Sequence, residues 1–219
     1  MKNVAAFFDM DGTLLSVNSG AKYLELIYRK GLISTRQLAK GFAWVLQYKL
    51  GILDAERVFD FAIRSAAGDS EAEMIARCNA WFEAELKSTI MPGARRVVEA
   101  HRAKGHRLAL LTSATNYAAD PLSRELQIEH VLCTRLDVKE SKFTGQVLRP
   151  LCFGEGKVAV AEAFAREHEI DLASSFFYTD SISDRAMLER VGEPRIVNPD
   201  LRLRWLAKRN QWKHEDLSA

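Results

Sequence analysis

The chain has 219 residues, of which 47% are hydrophobic and 27% charged, so it is long enough for one well-filled core or for a core domain with a smaller one. Its 31 lysines and arginines nearly balance its 29 aspartates and glutamates, and a net charge of +2 gives no support to a nucleic-acid partner. No run of about 18 apolar residues is present, so we expect no membrane span. Three widely separated cysteines and the lack of a secretory signal before the first strand lead us to expect a cytoplasmic protein.

The first predicted element is a strand over residues 4–8, which are apolar on both faces, as in a buried strand of a parallel sheet. Asp9 and Asp11 follow it directly, and carboxylates this close repel each other unless a cation lies between them or one is protonated. Functional sites commonly lie at the carboxyl ends of parallel strands, so we expect the functional site at these two aspartates. A plain turn and a calcium-binding loop are the alternatives, although the next residues lack the regular oxygen ligands of a calcium loop.

Residues 16–89 predict four amphipathic helices joined by short links. Each helix has a residue suited to cap or open it, and two of these residues begin capping-box patterns. In chain order they are Asn18 or Ser19, Ser34, Asp54 and Ser70. This succession predicts a small four-helix bundle whose aromatic residues are core.

From residue 91 onwards, predicted strands alternate with helices, which indicates a parallel sheet with right-handed crossovers. The strands are expected at residues 107–111, 130–133, 175–179 and 195–197. Residues 135–149 alternate in polarity and contain Thr144-Gly145, which predicts a hairpin that projects from the sheet. Three predicted strands end in Asp9, Thr112 and Asp180, polar residues able to bind phosphate or a metal, and this shared position carries the functional interpretation.

Four segments follow one another along the chain in the order FFDMDGTLL, LALLTS, FGEGK and FFYTDSISD. In this order and spacing they resemble the motifs of the haloacid dehalogenase superfamily of phosphohydrolases. The first is highly specific, whereas the second and third are weak alone. The resemblance covers nearly the whole chain and is closer to the phosphoserine-phosphatase-like branch, in which a helical cap follows the first motif. It implies a doubly wound, Rossmann-like α/β core from residues 1–15 and 90–219, with an all-helical cap at 16–89.

By this resemblance the chain is a Mg²⁺-dependent phosphomonoester hydrolase that acts through an aspartyl-phosphate. Asp9 would be the nucleophile and Asp11 the general acid and base, with its pKa raised by Asp9 and by burial under the cap. The metal would be held by the Asp9 and Asp180 carboxylates and the Asp11 backbone carbonyl. Asp184 would orient the metal ligands without binding the metal directly, or would reach the metal through a water molecule. It could instead cap the following helix.

The resemblance also implies the phosphate-binding groups. Thr112 would donate its hydroxyl to the phosphoryl oxygens, with help from the turn at Ser113, and Lys157 would neutralise charge there and keep Asp9 ionised. Gly12 would leave room for the backbone to approach the phosphate. Taken alone, Thr112 could equally be a helix cap and Lys157 a surface lysine on a first helical turn.

The cap would select the substrate, a small-molecule phosphate ester. In phosphoserine-specific members a glutamate early in the cap binds the substrate ammonium, and Asn18 stands at about that position, which argues against phosphoserine. Arg64 is a candidate partner for a carboxylate or a second anion. Histidinol phosphate, a phosphorylated amino acid or amino alcohol, and a lipid or glycerol phosphate stay open, and the sequence does not indicate the oligomeric state.

Two other functions remain as alternatives. A phosphotransferase would pass the same intermediate to an alcohol, and a phosphate-binding regulatory protein would keep the fold without turnover. The basic and aromatic segment 198–212 could lie on an anionic membrane surface, but we favour a helix that packs its leucines on the sheet with its arginines in solvent.

Overall fold

A computed structural model describes residues 3–49, 63–64 and 66–218 of the chain. Within this part, eight strands are present. Their bounds are β1 Ala5–Phe8, β2 Arg107–Thr115, β3 His130–Thr134, β4 Leu136–Lys139, β5 Lys142–Val147, β6 Phe176–Thr179, β7 Glu193–Ile196 and β8 Lys213–His214.

Helices connect most of these strands. Their bounds are α1 Ser19–Arg29, α2 Thr35–Lys49, α3 Glu71–Trp81, α4 Pro92–Ala103, α5 Asn116–Leu126, α6 Glu155–Glu167, α7 Arg185–Arg190 and α8 Leu201–Asn210. The chain continues from α3 through a π-helical turn at Phe82–Leu86 and a 3-10 turn at Lys87–Thr89, and further 3-10 turns lie at Leu172–Ser174 and Ile182–Asp184.

Six strands form one sheet in the order β3-β2-β1-β6-β7-β8, and every neighbouring pair is parallel. The chain builds outward from β1 in one direction through β2 and β3, and in the other through β6, β7 and β8. The reversal therefore falls between β1 and β6, which is where doubly wound sheets open a crevice. The predicted doubly wound α/β fold is confirmed.

The sheet is buried on both faces, which explains why β1 is apolar throughout. Ala6 and Phe8 belong to one apolar cluster, with side chains from α3, α4 and α5. Ala5 and Phe7 belong to a second cluster, with side chains from α6, α7 and α8. Successive side chains of a strand point to opposite faces, so a four-residue apolar strand supplies both cores.

The predicted hairpin is present as β4 and β5, but Thr144-Gly145, the pair on which the prediction depends, does not form its turn. Glu140 and Ser141 form the turn with φ values of +50° and +60°, while Gly145 lies inside β5. Gly145 is needed there for a different reason, because a Cβ on it would lie only 3.0 Å from the Cβ of Ala67. The turn has no glycine, so sequence patterns for tight turns point to the wrong position.

The helical segment agrees with the predicted capping residues in its described parts. The Asn18 side chain accepts from the Ala21 amide at 2.9 Å, and Ser34 bonds Gln37 in a capping box. Ser70 caps α3. The predicted third helix begins at a position outside the described residues, so the four-helix bundle stays a prediction.

At the carboxyl end, α8 packs on the sheet as the favoured interpretation expects. Leu203 and Leu206 are buried, whereas Leu201 and Trp205 are exposed beside the arginines. β8 was not predicted, because a two-residue exposed edge strand carries no periodicity. In the described part of the chain, no helix combines the length and apolar character needed to cross a membrane.

Candidate active site

The three polar residues that end predicted strands lie together at one edge of the sheet. β1 pairs in register with β2 on one side and β6 on the other, and the Asp9 amide donates to the Tyr178 carbonyl at 2.9 Å. Thr112 and Asp180 each lie two residues beyond the partner of Phe8. They therefore flank the residues that follow β1 at the point where the sheet reverses direction.

Lys157 is completely buried, so its interpretation as a surface lysine is wrong. Its Nζ atom lies 2.8 Å from Oδ1 of Asp9 and 2.8 Å from Oδ2 of Asp184. Gly156 allows this placement, because a Cβ there would lie 1.8 Å from the Leu151 carbonyl oxygen. The start of α6 thus packs close enough to direct the lysine inward.

Only one of the two carboxylate oxygens of Asp184 accepts hydrogen bonds within the described residues. Its Oδ2 accepts from Lys157 and from the Thr179 hydroxyl at 2.7 Å, while its buried Oδ1 has no hydrogen-bond partner within the described residues. Asp184 occupies the N-cap position of α7, as the alternative interpretation expects, but its side chain makes no capping bond there. Sequence reasoning missed Thr179, whose hydroxyl is buried behind the site.

Burial dominates the electrostatics of these carboxylates. It raises the pKa of Asp9 to about 7, against the opposing effect of Lys157. Burial also raises the pKa of Asp180 well above its usual range, and the neighbouring charges of Asp9, Asp184 and Asp11 add to that rise. The expected rise in the pKa of Asp11 itself stays a prediction.

Gly12 lies directly against Asp180. Its φ is +74°, and a Cβ on it would lie 2.2 Å from Oδ2 of Asp180. The space left by the missing side chain is therefore filled by this carboxylate. Glycine at this position brings the backbone of the first loop and the acidic residue after β6 into contact.

Asp11 is held by the start of α1. The Ser19 amide donates to Oδ1 at 3.0 Å, and the Ser19 hydroxyl donates to Oδ2 at 2.9 Å. Ser19 is only 2% exposed. The sequence indicates Ser19 only as an alternative cap for α1 and carries no signal for this contact.

Thr112 is buried, and its Oγ1 accepts from the Ala114 amide at 3.2 Å. The cap of the following helix is Thr115, so the interpretation of Thr112 as a helix cap is wrong. Ser113 is half-buried next to it. The register of β2 shifts between Thr112 and Thr115, which marks an irregular end of the strand at the site.

A cleft of about 460 Å³ opens beside these residues. Its walls include the carboxylates of Asp11, Asp180 and Asp200 and the amide of Asn18. Asp200 was not predicted as a site residue. Arg64 is exposed beside the hairpin, and it is not among the residues of the described chain that line this cleft.

The predicted metal ligands are oxygen atoms, the donors that Mg²⁺ prefers. Among the described residues, no three His, Cys, Asp or Glu side chains are grouped so as to hold a metal ion by themselves. The predicted donor set needs only the two carboxylates of Asp9 and Asp180 with the Asp11 carbonyl. These are hard oxygen donors, and a cation would offset the burial and the mutual repulsion that raise the pKa of both carboxyl groups, so the residues fit Mg²⁺.

Comparison with protein families identifies the family to which the chain belongs. The model of the haloacid dehalogenase-like hydrolases matches residues 6–189. The resemblance inferred from the four motifs is therefore confirmed.

Two curated relatives are similar over nearly the whole chain. A histidinol-phosphatase of Neisseria meningitidis serogroup C is 28% identical over 218 residues, which cover 97% of each chain. A phosphoserine phosphatase of Mycobacterium tuberculosis is 28% identical over 218 residues, which cover 97% of this chain and 70% of that protein. Among solved structures, a protein of unknown function from Bordetella pertussis Tohama I has a TM-score of 0.90 and 27% identity, and the match covers 99% of this chain and 100% of that one.

Proposed function

Since the chain belongs to the haloacid dehalogenase-like hydrolases, we propose that it is a Mg²⁺-dependent phosphomonoester hydrolase that acts through an aspartyl-phosphate on Asp9. One observation carries the proposal. The Asp9 carboxylate is 2% exposed at the carboxyl end of the central strand, and the buried ammonium of Lys157 lies 2.8 Å from it. A buried carboxylate held in one orientation by a cation is suited to nucleophilic attack.

Lys157 bonds Oδ1 of Asp9, so Oδ2 is the oxygen that we expect to attack phosphorus. The new bond joins this oxygen to phosphorus as the ester bond to the leaving group breaks. Water then attacks the aspartyl-phosphate, which returns the Asp9 carboxylate and releases inorganic phosphate. Asp9 must be ionised to attack, and Lys157 favours that form.

Asp11 is proposed to move the protons of both steps. It gives a proton to the departing alcohol oxygen and afterwards takes one from the attacking water. Asp11 is one of the residues that line the cleft, where the leaving group and the water would lie.

The phosphoryl group would lie at the sheet edge between β1 and its two neighbours. The Thr112 hydroxyl accepts one bond from the Ala114 amide, and we propose that it donates its own hydrogen to a phosphoryl oxygen. Ser113 and the backbone at Gly12 would bind the remaining oxygens, with Lys157 supplying positive charge.

Asp9, Asp180 and the Asp11 carbonyl are proposed to hold Mg²⁺. When bound, the ion would offset the negative charge of the phosphoryl group and of the carboxylates. Asp184 would not bind the metal directly but would hold Lys157 and Thr179 in place through the hydrogen bonds that its Oδ2 accepts from them.

The substrate is proposed to be a small organic phosphate. The names of the two curated relatives favour the phosphate of an amino alcohol or amino acid over a lipid or glycerol phosphate. Asn18 lines the cleft with an amide instead of a carboxylate, and its Oδ1 is used to cap α1. This argues against phosphoserine and makes a histidinol-phosphate-like compound the first to test.

We also propose that residues 16–89 form the cap and that residues 1–15 and 90–219 form the catalytic core. The contact between Ser19 and Asp11 supports a cap that begins next to the acid and base. A cytoplasmic location stays a prediction.

The test is hydrolysis of 4-nitrophenyl phosphate and a panel of cellular phosphomonoesters, each with Mg²⁺ and with EDTA. We expect metal-dependent release of phosphate and a strong preference for one panel member. Excess acceptor alcohol should not divert the phosphoryl group, and its efficient capture would favour the phosphotransferase. Release of phosphate that is unaffected by EDTA would contradict the proposed metal dependence.

A further inference from the structure

One residue, Ser19, bonds both oxygens of the Asp11 carboxylate. The distances are 3.0 Å from its amide nitrogen to Oδ1 and 2.9 Å from its hydroxyl oxygen to Oδ2. Ser19 is buried, whereas Asp11 is part of the cleft wall. The first turn of α1 therefore fixes the orientation of the carboxyl group that is proposed to act as acid and base.

The Ser19 hydroxyl is not required to cap the helix. Asn18 is the N-cap residue of α1, and its side chain accepts from the Ala21 amide. A serine that merely began the helix would not have to direct its hydroxyl to Asp11. The hydroxyl contact thus needs an explanation beyond the stability of α1.

The two contacts act on the two oxygens of one carboxylate. Because Ser19 donates to both oxygens, rotation of the Asp11 side chain would break at least one bond. Without the hydroxyl, Ser19 would keep only its amide bond to Oδ1. The Ser19 hydroxyl therefore restricts the orientation of the Asp11 carboxylate.

We propose that Ser19 is a positioning residue that holds the Asp11 carboxyl group in one orientation for its proposed action as acid and base. This inference rests on the phosphatase function proposed above. The proton moves from the Asp11 carboxyl group to the leaving oxygen as the phosphorus–oxygen ester bond breaks and Asp9 bonds to phosphorus. A proton from water returns to the Asp11 carboxylate when the aspartyl-phosphate is hydrolysed, so the cycle balances.

Rates on two aryl phosphates can show whether a substitution at Ser19 disturbs the proton donor or the structure of the site in general. The leaving group of 4-nitrophenyl phosphate departs readily without a proton, whereas that of phenyl phosphate gains more from protonation. In Ser19→Ala we expect kcat/KM to fall about tenfold for phenyl phosphate and less than about threefold for 4-nitrophenyl phosphate. Ser19→Thr keeps the hydroxyl and should restore the ratio between the two substrates.

Ser34→Ala is the matched control. Ser34 also lies at a helix start in the segment 16–89, but its hydroxyl bonds Gln37 instead of Asp11. We expect this variant to keep the substrate ratio of the unmodified protein. Circular dichroism would establish that each variant is folded, and if Ser19→Thr does not fold, the ratio in Ser19→Ala decides alone.

The outcomes distinguish this inference from the function on which it rests. An equal loss on both substrates in folded Ser19→Ala, or no loss on either, would overturn the positioning role while leaving the phosphatase function intact. A failure of folded Ser19→Thr to restore the ratio would also overturn it. Absence of turnover by the unmodified protein with Mg²⁺ would overturn the proposed function and this inference together.

Discussion

At Lys157, a single ammonium group separates two buried carboxylates. The lysine and Asp184 are both inaccessible to solvent, and Asp9 is nearly so. Removing one partner of a buried ion pair is strongly destabilising because a buried charge is left without compensation. Here the loss would leave two carboxylates facing each other, so Lys157 is expected to support the fold as well as the chemistry.

We expect Lys157→Met to lower the free energy of unfolding by about 3–5 kcal/mol at pH 8 in EDTA. The loss should shrink at pH 5. With Lys157 in place, burial raises the pKa of Asp9 to about 7, and loss of the lysine, which lowers this pKa, would raise it further. Between pH 8 and pH 5 the folded variant therefore takes up more of a proton than the folded unmodified protein, and it gains more stability as the pH falls. Urea unfolding at the two pH values measures this.

The matched control is Lys22→Met, which removes a lysine from the exposed pair with Glu25. It should change the stability by less than about 1 kcal/mol at either pH. A loss in Lys157→Met that is as small as this, or that is equal at both pH values, would contradict the electrostatic explanation.

Site residues that follow an apolar strand were predictable from the sequence, since strand ends meet at one edge of a parallel sheet. Asp9, Thr112 and Asp180 are of this kind. The contact of Ser19 with Asp11 was not predictable, because it depends on how α1 sits against the first loop. Burial of Lys157 likewise depends on the packing of Gly156 against a distant carbonyl, which no local pattern records.

At the scale of elements, the hairpin is where sequence and structure disagree most clearly. Glycine is the usual sign of a tight turn, and the only glycine of this hairpin lies in a strand, against the segment that includes Ala67. Two residues with side chains, Glu140 and Ser141, adopt the left-handed conformation instead. Tertiary contacts therefore override the local preference.

The hairpin turn gives a stability prediction. We expect Ser141→Gly to raise the free energy of unfolding by about 0.5–1 kcal/mol, because glycine adopts a φ of +60° without the steric cost of a Cβ. Gly145→Ala should lower it by at least about 1 kcal/mol, since φ is +80° there and the new Cβ would crowd Ala67. Urea unfolding of both variants is the measurement.

Lys142→Gly is the control for the hairpin, because it places glycine in the extended start of β5 and should be destabilising. If Ser141→Gly lowered stability as much as Lys142→Gly does, the turn would not lie at residues 140 and 141.

At the scale of the whole molecule, His101 links α4 to the central sheet. It is 4% exposed, its Nε2 lies 2.8 Å from the Tyr178 hydroxyl, and its Nδ1 lies 2.8 Å from Nδ1 of His106. Burial, together with the neighbouring His106, lowers its pKa to about 4. The folded protein therefore holds this histidine neutral.

This histidine predicts a loss of stability in mild acid. In the unfolded chain His101 binds a proton with a pKa of about 6.5, whereas in the folded chain its pKa is about 4. The contribution of neutral His101 to the free energy of unfolding is therefore present above pH 6.5 and is lost as the pH falls towards 4. The full difference corresponds to about 3 kcal/mol. His101→Gln should remove it, which urea unfolding at pH 7.5 and 4.5 would detect as a smaller loss on acidification.

The exposed His214 supplies the control, since His214→Gln should leave the acid-induced loss unchanged. An acid-induced loss in His101→Gln equal to that of the unmodified protein would contradict this role of His101.

The overall architecture was predictable because strand and helix patterns alternate over most of the chain. The full helical bundle was predicted from periodicity and capping residues, and the predicted start of its third helix lies outside the described residues. The short edge strand β8 could not be predicted, because its pairing depends on β7 and not on a pattern of its own.

The central claim is that Asp9 carries the phosphoryl group during turnover, and rapid acid quench followed by peptide mass spectrometry tests it most directly. With Mg²⁺ and substrate, the account predicts a phosphoryl group on the peptide that contains Asp9, and neither phosphoryl group nor turnover in folded Asp9→Asn. Asp137→Asn, which changes a carboxylate in the hairpin, should behave like the unmodified protein. Turnover retained by Asp9→Asn, or a phosphoryl group on a different residue, would contradict the account.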